Sequence, residues 1–127
     1  MTSDPAWLEQ VQTRLRTDRT DAVRTLHELT ARVSDIVDAA RDSNLDDEHD
    51  PEGMTIGAER EMASSMVTRT RDRVRQIDAA LARLADGSYG RCGRCGEPVP
   101  QARLQARPTA ELCVPCAAEV SGSPGRR

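Results

Sequence analysis

Lysine is absent from this 127-residue chain, as is phenylalanine, and there is one tryptophan (Trp7) and one tyrosine (Tyr89). Aromatic side chains normally supply much of a core's buried area, and sixteen of the hydrophobic residues here are alanine. A compact globule of this length would bury roughly two-thirds of its unfolded surface, and these side chains are too small to fill it. A helical architecture with a narrow apolar seam needs far less volume. Nothing approaches the ~20 consecutive apolar residues of a membrane span, so no membrane association is expected. The first 25 residues carry acids and arginines without an apolar run, which excludes a secretory signal. The chain therefore reads as cytoplasmic. In that compartment four cysteines point to metal or redox chemistry rather than structural disulfides.

Charge is nearly balanced overall, at −3, but unevenly placed. Residues 1–41 carry six arginines against seven acids. Residues 42–52 carry six acids (Asp42, Asp46, Asp47, Glu48, Asp50 and Glu52) and no arginine. Residues 60–83 reverse the sign with six arginines against three acids, and residues 91–127 repeat that ratio. An acidic node thus lies between basic-leaning segments.

Two long helices account for this layout. Ser3 and Asp4 can cap a helix whose first turn receives Pro5. Apolar residues recur at Leu8, Val11, Leu15, Ala22, Leu26, Leu29, Val33, Ile36 and Ala40, mostly in steps of three and four, which is the seam of a coiled-coil helix. Between Leu15 and Ala22 the phase slips unless Arg19 occupies the seam as a stutter. The helix should end near Arg41 to Asn44. A second seam runs through Ile56, Arg60, Ala63, Val67, Thr70, Val74, Ile77, Leu81 and Leu84, and Gly87 is a natural left-handed stop. Its start is set by Asp50-Pro51 or by Thr55, with Gly53 and Gly57 weakening any helix there. Two such helices joined by a short polar loop should pair antiparallel, each about 45–60 Å long at 1.5 Å per residue. The predicted class is mainly α. A coiled-coil hairpin spans 1–87, with its acidic tip loop near 42–55. A small four-Cys zinc finger with a short C-terminal helix follows at 88–120, and a disordered tail occupies 121–127.

The cysteines carry the chemistry. Cys92/Cys95 and Cys113/Cys116 form two CxxC pairs separated by seventeen residues, a four-Cys zinc spacing. Two intervening residues let both sulfurs of a pair reach one ion, and Gly93 and Gly96 relieve crowding where amides turn toward them. Four thiolates close the tetrahedron and leave no position for a substrate water, so Zn²⁺ would be structural. A redox CxxC needs only one pair and usually a βαβ context, and two disulfides lack an oxidising compartment. No nucleophile–base pair or phosphate loop appears, so no enzymatic activity is expected. His27 and His49 read as a surface residue and a tip residue. Arg91, Arg94, Arg103 and Arg107 read as solvated or partner-facing charges with one structural arginine among them.

The segment Tyr89–Cys116 resembles the zinc finger of the DksA/TraR family of bacterial transcription factors. The positions that carry the resemblance are Tyr89-Gly90, Cys92, Cys95-Gly96, Val99, Arg103-Leu104, Ala106, Pro108, Ala110, Cys113 and Cys116. The preceding hairpin extends the likeness over most of the chain. The resemblance implies that the coiled coil enters the secondary channel of RNA polymerase without sequence-specific DNA binding. It also implies that acids at the tip approach the active centre and alter promoter complexes, and it admits the alarmone ppGpp as a further partner. The family's tip pattern is DxxDxA. Asp47-Glu48-His49-Asp50 reproduces its first four positions, and Glu52 stands where alanine is expected. Asp46, Asp47, Glu48, Asp50 and Glu52 are the candidate tip residues. Two other functions compete: a zinc-ribbon nucleic-acid binder and a coiled-coil adaptor that uses zinc only as a cap.

Overall fold

The computed structural model describes residues 4–46 and 51–122, with side chains described for 4–41 and 55–121. Four helices follow in chain order: α1 (Pro5–Asp46), α2 (Pro51–Asp86), α3 (Gln101–Ala106) and α4 (Val114–Gly122). Among the described residues there is no strand, only an isolated antiparallel bridge between Arg91 and Pro98. Helices α1 and α2 pair antiparallel, and a small cysteine-bearing module that ends in a short helix follows them.

Local chemistry sets the helix ends. The Asp4 carboxylate accepts from the amide of Ala6 at 3.3 Å, and the Asp4 carbonyl accepts from Leu8 at 3.0 Å. Asp4 is therefore the cap, and Pro5 occupies the position where its missing N–H costs nothing. Helix α1 runs past the expected Arg41–Asn44 stop to Asp46, because no glycine or proline intervenes to end it. Helix α2 begins at Pro51 and continues through Gly53 and Gly57. The cost of about 1 kcal/mol per helical glycine is outweighed by the apolar seam that follows. At the far end Gly87 takes φ +85°, and the amides of Ser88 and Tyr89 both return to the carbonyl of Arg83, at 3.0 and 3.2 Å. Only glycine adopts that left-handed turn without strain.

Contacts gather the chain into two compact units, Met1–Arg19 with Gln76–Arg127, and Thr20–Arg75. The first buries Trp7, Val11, Leu15, Ile77, Ala80, Tyr89, Cys92, Val99 and Leu104. Leu15 and Ile77 are fully enclosed at 0% exposure. The second buries Ala22, Leu29, Ala63 and Val67, while Leu26, Val33, Ile36, Ala40, Ile56, Thr70 and Val74 are half-buried. This is the narrow seam that alanine-rich helices can form.

The seam differs from expectation at three places. Arg19 does not occupy it. Its guanidinium is exposed and reaches across to Asp78 at 2.6 Å. Asp18 is half-buried instead, so the steps from Leu15 to Ala22 remain three and four, and no stutter is required. Arg60 is likewise exposed. At the N-terminal end Trp7, rather than Leu8, is the buried residue. It packs on the face that meets Tyr89, where a large ring has a partner.

Candidate metal centre

The four cysteines converge from a loop, which carries Cys92 and Cys95, and from the start of α4, which places Cys113 and Cys116. In the first, Gly96 takes φ +79° and donates its amide to the Cys92 carbonyl at 3.0 Å, while the Cys92 amide donates to Glu97 at 2.8 Å. That tight turn swings the Arg94 amide toward the Cys92 sulfur, at 3.4 Å. The segment leading into α4 is tied to this loop by the Gly93 amide, which donates to the Glu111 carbonyl at 2.8 Å. A side chain at Gly93 would bring its Cβ to 3.6 Å from that carbonyl. Cys113 immediately precedes α4, and its carbonyl accepts from Ala117 at 2.9 Å. Cys116 then sits in the first turn of α4.

The donor set suits zinc. The sulfurs of Cys92, Cys95, Cys113 and Cys116 all lie within 4.8 Å of one another, and Cys95 and Cys113 are 3.8 Å apart. Bonds of ~2.3 Å to a tetrahedral ion require sulfur–sulfur separations of about 3.8 Å. Cys92 is buried, Cys95 exposed, and the other two are between. Amide donation from Cys95, Cys113 and Arg94 outweighs burial and lowers the Cys92 thiol to about 6. Cys116 is pushed the other way, to about 12, by hydrogen bonding with the Cys113 sulfur, by burial and by the other two sulfurs. Crowded sulfurs oppose one another's ionisation, and a divalent cation at their centre removes that opposition.

Residues outside the cysteines brace the module. Leu104 of α3 and Val99 form its small core, each 2% exposed. Tyr89 donates its buried hydroxyl to the Pro108 carbonyl at 2.7 Å, and its ring lies 6.3 Å from that of Trp7, tilted by 47°. Burial raises the Tyr89 phenol to about 12, with Arg83 and Arg14 pulling weakly downward. Arg14 of α1 donates to the Gln105 carbonyl at 2.6 Å, and Arg83 of α2 to the Thr109 carbonyl at 3.4 Å.

Three of the four arginines singled out in the sequence are engaged within the module. Arg103 donates to the Leu112 carbonyl at 2.8 Å, Arg91 to Gly96 at 3.3 Å, and Arg94 pairs with Glu119 at 3.0 Å. Arg107 is exposed at the end of α3, and His27 is exposed on α1. The tip candidates Asp47, Glu48 and Asp50, with His49, lie outside the described residues. Asp46 and Glu52 fall in the ends of α1 and α2, and their side chains lie outside the described set. The expected tail is split: Ser121 and Gly122 belong to α4, and residues 123–127 lie outside the described residues.

Residues 87–121 match the prokaryotic dksA/traR C4-type zinc finger family. Over 99% of this chain and 95% of the other, the fold matches the structure of transcription factor DksA2 from Pseudomonas aeruginosa, with a TM-score of 0.55 and 30% identity. The chain belongs to the DksA/TraR family. A DksA/TraR relative from Caulobacter vibrioides, named RNA polymerase-binding transcription factor DksA, is 37% identical over 111 residues, which is 86% of this chain and 64% of that protein. The protein of the same name from Haemophilus influenzae is 43% identical over 63 residues, 46% of this chain and 43% of its own. The chain thus spans less than two-thirds of the length of these curated relatives. Among the described residues, no helix is long and apolar enough to cross a membrane.

Proposed function

We propose that this DksA/TraR member is a cytoplasmic, non-enzymatic regulator that binds RNA polymerase directly. It places the acidic turn of its hairpin in the secondary channel and so modulates initiation. Zn²⁺ held by Cys92, Cys95, Cys113 and Cys116 has a structural role, fixing the 88–120 module at the base of the 1–87 hairpin. The observation that carries the reading is the pairing of two features: a chain matched along its length to a transcription factor of the family, and an acid-rich, arginine-free stretch at 42–52 in the sequence that joins its two long helices.

The physical logic is simple. Two helices side by side are about 20 Å across, so a hairpin can pass an opening that excludes a globule. Asp46, Asp47, Glu48, Asp50 and Glu52 then present carboxylates that can engage a divalent cation or the arginines and lysines of a polymerase element. The engagement of Arg91, Arg94 and Arg103 within the finger leaves that module poorly furnished for reading DNA. Purified protein should co-elute with RNA polymerase. Asp47→Ala/Asp50→Ala should retain that binding and lose the effect on transcription from a purified promoter system. Equal transcription by wild type and the double variant would defeat the tip mechanism. Running the same assay with and without ppGpp reads any dependence on the alarmone.

A further inference from the structure

The seventeen residues between Cys95 and Cys113 must be ordered before four sulfurs can meet, and ordering a chain costs backbone entropy. Four carbonyls of that segment, those of Gln105, Pro108, Thr109 and Leu112, receive no backbone amide among the described residues. Side chains satisfy all four. Arg14 donates to Gln105 at 2.6 Å, Tyr89 to Pro108 at 2.7 Å, Arg83 to Thr109 at 3.4 Å and Arg103 to Leu112 at 2.8 Å. Only Arg103 belongs to the segment itself; Arg14 comes from α1, Arg83 from α2 and Tyr89 from the turn that follows α2. A carboxylate steadies each guanidinium of the two long helices. Arg14 lies 3.9 Å from Asp18, and Arg83 lies 3.9 Å from Glu111, whose carbonyl accepts from Gly93 beside Cys92. The Arg83 side chain is only 19% exposed, and all of these residues fall in the unit Met1–Arg19 with Gln76–Arg127.

We infer that Arg14 and Arg83 are positioning residues for metal retention, clasping the segment that brings Cys113 and Cys116 to Cys92 and Cys95; this rests on the reading that those sulfurs hold Zn²⁺. The module's own core, Val99 and Leu104, is too small to order that segment unaided. Donors fixed on two paired helices order it in advance, so less freedom is lost when the metal site closes. A guanidinium suits the task because its planar fork can hold a carbonyl and a carboxylate together. Outer-shell partners of this kind govern how firmly metal ligands are oriented. By linkage the effect runs both ways: a filled site tightens the base of the hairpin as much as the clasp tightens the site.

Zn²⁺ retention by the full-length protein, read by competition with a chromophoric chelator alongside urea unfolding, tests this. Arg14→Met/Arg83→Met keeps the aliphatic stems and removes the donors. It should weaken retention about tenfold, the low end of what outer-shell partners contribute. Arg14→Lys/Arg83→Lys returns a cationic donor at each position and should recover most of that loss. Leu29→Ala, in the unit Thr20–Arg75, should lower the unfolding midpoint. Sharing no partner with the clasp, it should still hold Zn²⁺ within about twofold of wild type. A methionine pair that holds Zn²⁺ as wild type does overturns the clasp while the zinc reading stands. So does a lysine pair no better than the methionine pair, or a Leu29→Ala variant that loses Zn²⁺ as readily. Wild-type protein that binds no stoichiometric Zn²⁺ overturns both.

Discussion

At the scale of residues, two local features govern the finger: four sulfurs and one phenol. The sulfurs are mutually within bonding reach of one small ion, yet the module around them buries little beyond Val99 and Leu104. Under the proposed function, zinc held there would supply much of the module's folding free energy, which is on the order of 10 kcal/mol in small zinc modules. Cys113→Ser should abolish stoichiometric zinc, and chelation of wild type should mimic it. Because Trp7 is the only tryptophan and is 8% exposed beside Tyr89, both treatments should shift its fluorescence to longer wavelength. Zinc loss with unchanged emission would show that the sulfurs do not support this core. Tyr89 gives a pH prediction. Burial raises its folded value to about 12 from an ordinary 10, so its contribution to stability is complete below about 10 and is lost as pH rises through that interval. The tyrosinate absorbance of the folded protein should have its midpoint near 12, and Tyr89→Phe should remove this alkaline limb of stability while costing about 1 kcal/mol for the lost hydrogen bond. A midpoint at the ordinary value would contradict the buried, Pro108-bound hydroxyl.

The elements show what sequence periodicity reveals and where it stops. Leu15 and Ile77 stood on the seams and are fully enclosed, so Ile77→Ala should cost about 2–4 kcal/mol in urea unfolding. The Arg19–Asp78 pair is roughly half exposed on both sides, so Arg19→Ala should leave the urea midpoint almost unchanged. Gly57 lies inside α2, and a methyl group placed on its Cα would meet nothing within 4 Å. Gly57→Ala should therefore stabilise by about 0.5–1 kcal/mol. A cost in place of that gain would mean the α2 backbone there is not helical. The two long helices were legible because their apolar steps repeat many times. The assignment at residues 18 and 19 was not, because hydrophobicity alone cannot tell that a short aspartate tolerates the half-buried position while arginine's length carries it across to Asp78. Helix α3 was hidden for another reason: six residues between Pro100 and Arg107 are too few to show a period. Cysteine spacing made the metal centre readable. The bracing by Trp7, Arg14 and Arg83 joins residues far apart in sequence, and no local pattern encodes it.

Across the whole molecule, the informative quantity is the distribution of charge rather than its sum. The acids concentrate at 42–52, and the arginine surplus lies on α2 and in the finger. Poverty in bulky side chains is matched by an architecture that does not need them. Alanine, valine and leucine complete a two-helix seam, and four convergent cysteines lie where the core is smallest. Under the proposed function these features divide the work: the finger fixes the hairpin, and the acidic segment acts. Photocrosslinking from a reactive residue placed at position 47, with purified RNA polymerase, tests this most directly. The account predicts adducts in polymerase peptides that surround the active centre. Adducts confined to the outer polymerase surface, or none at all, would contradict it.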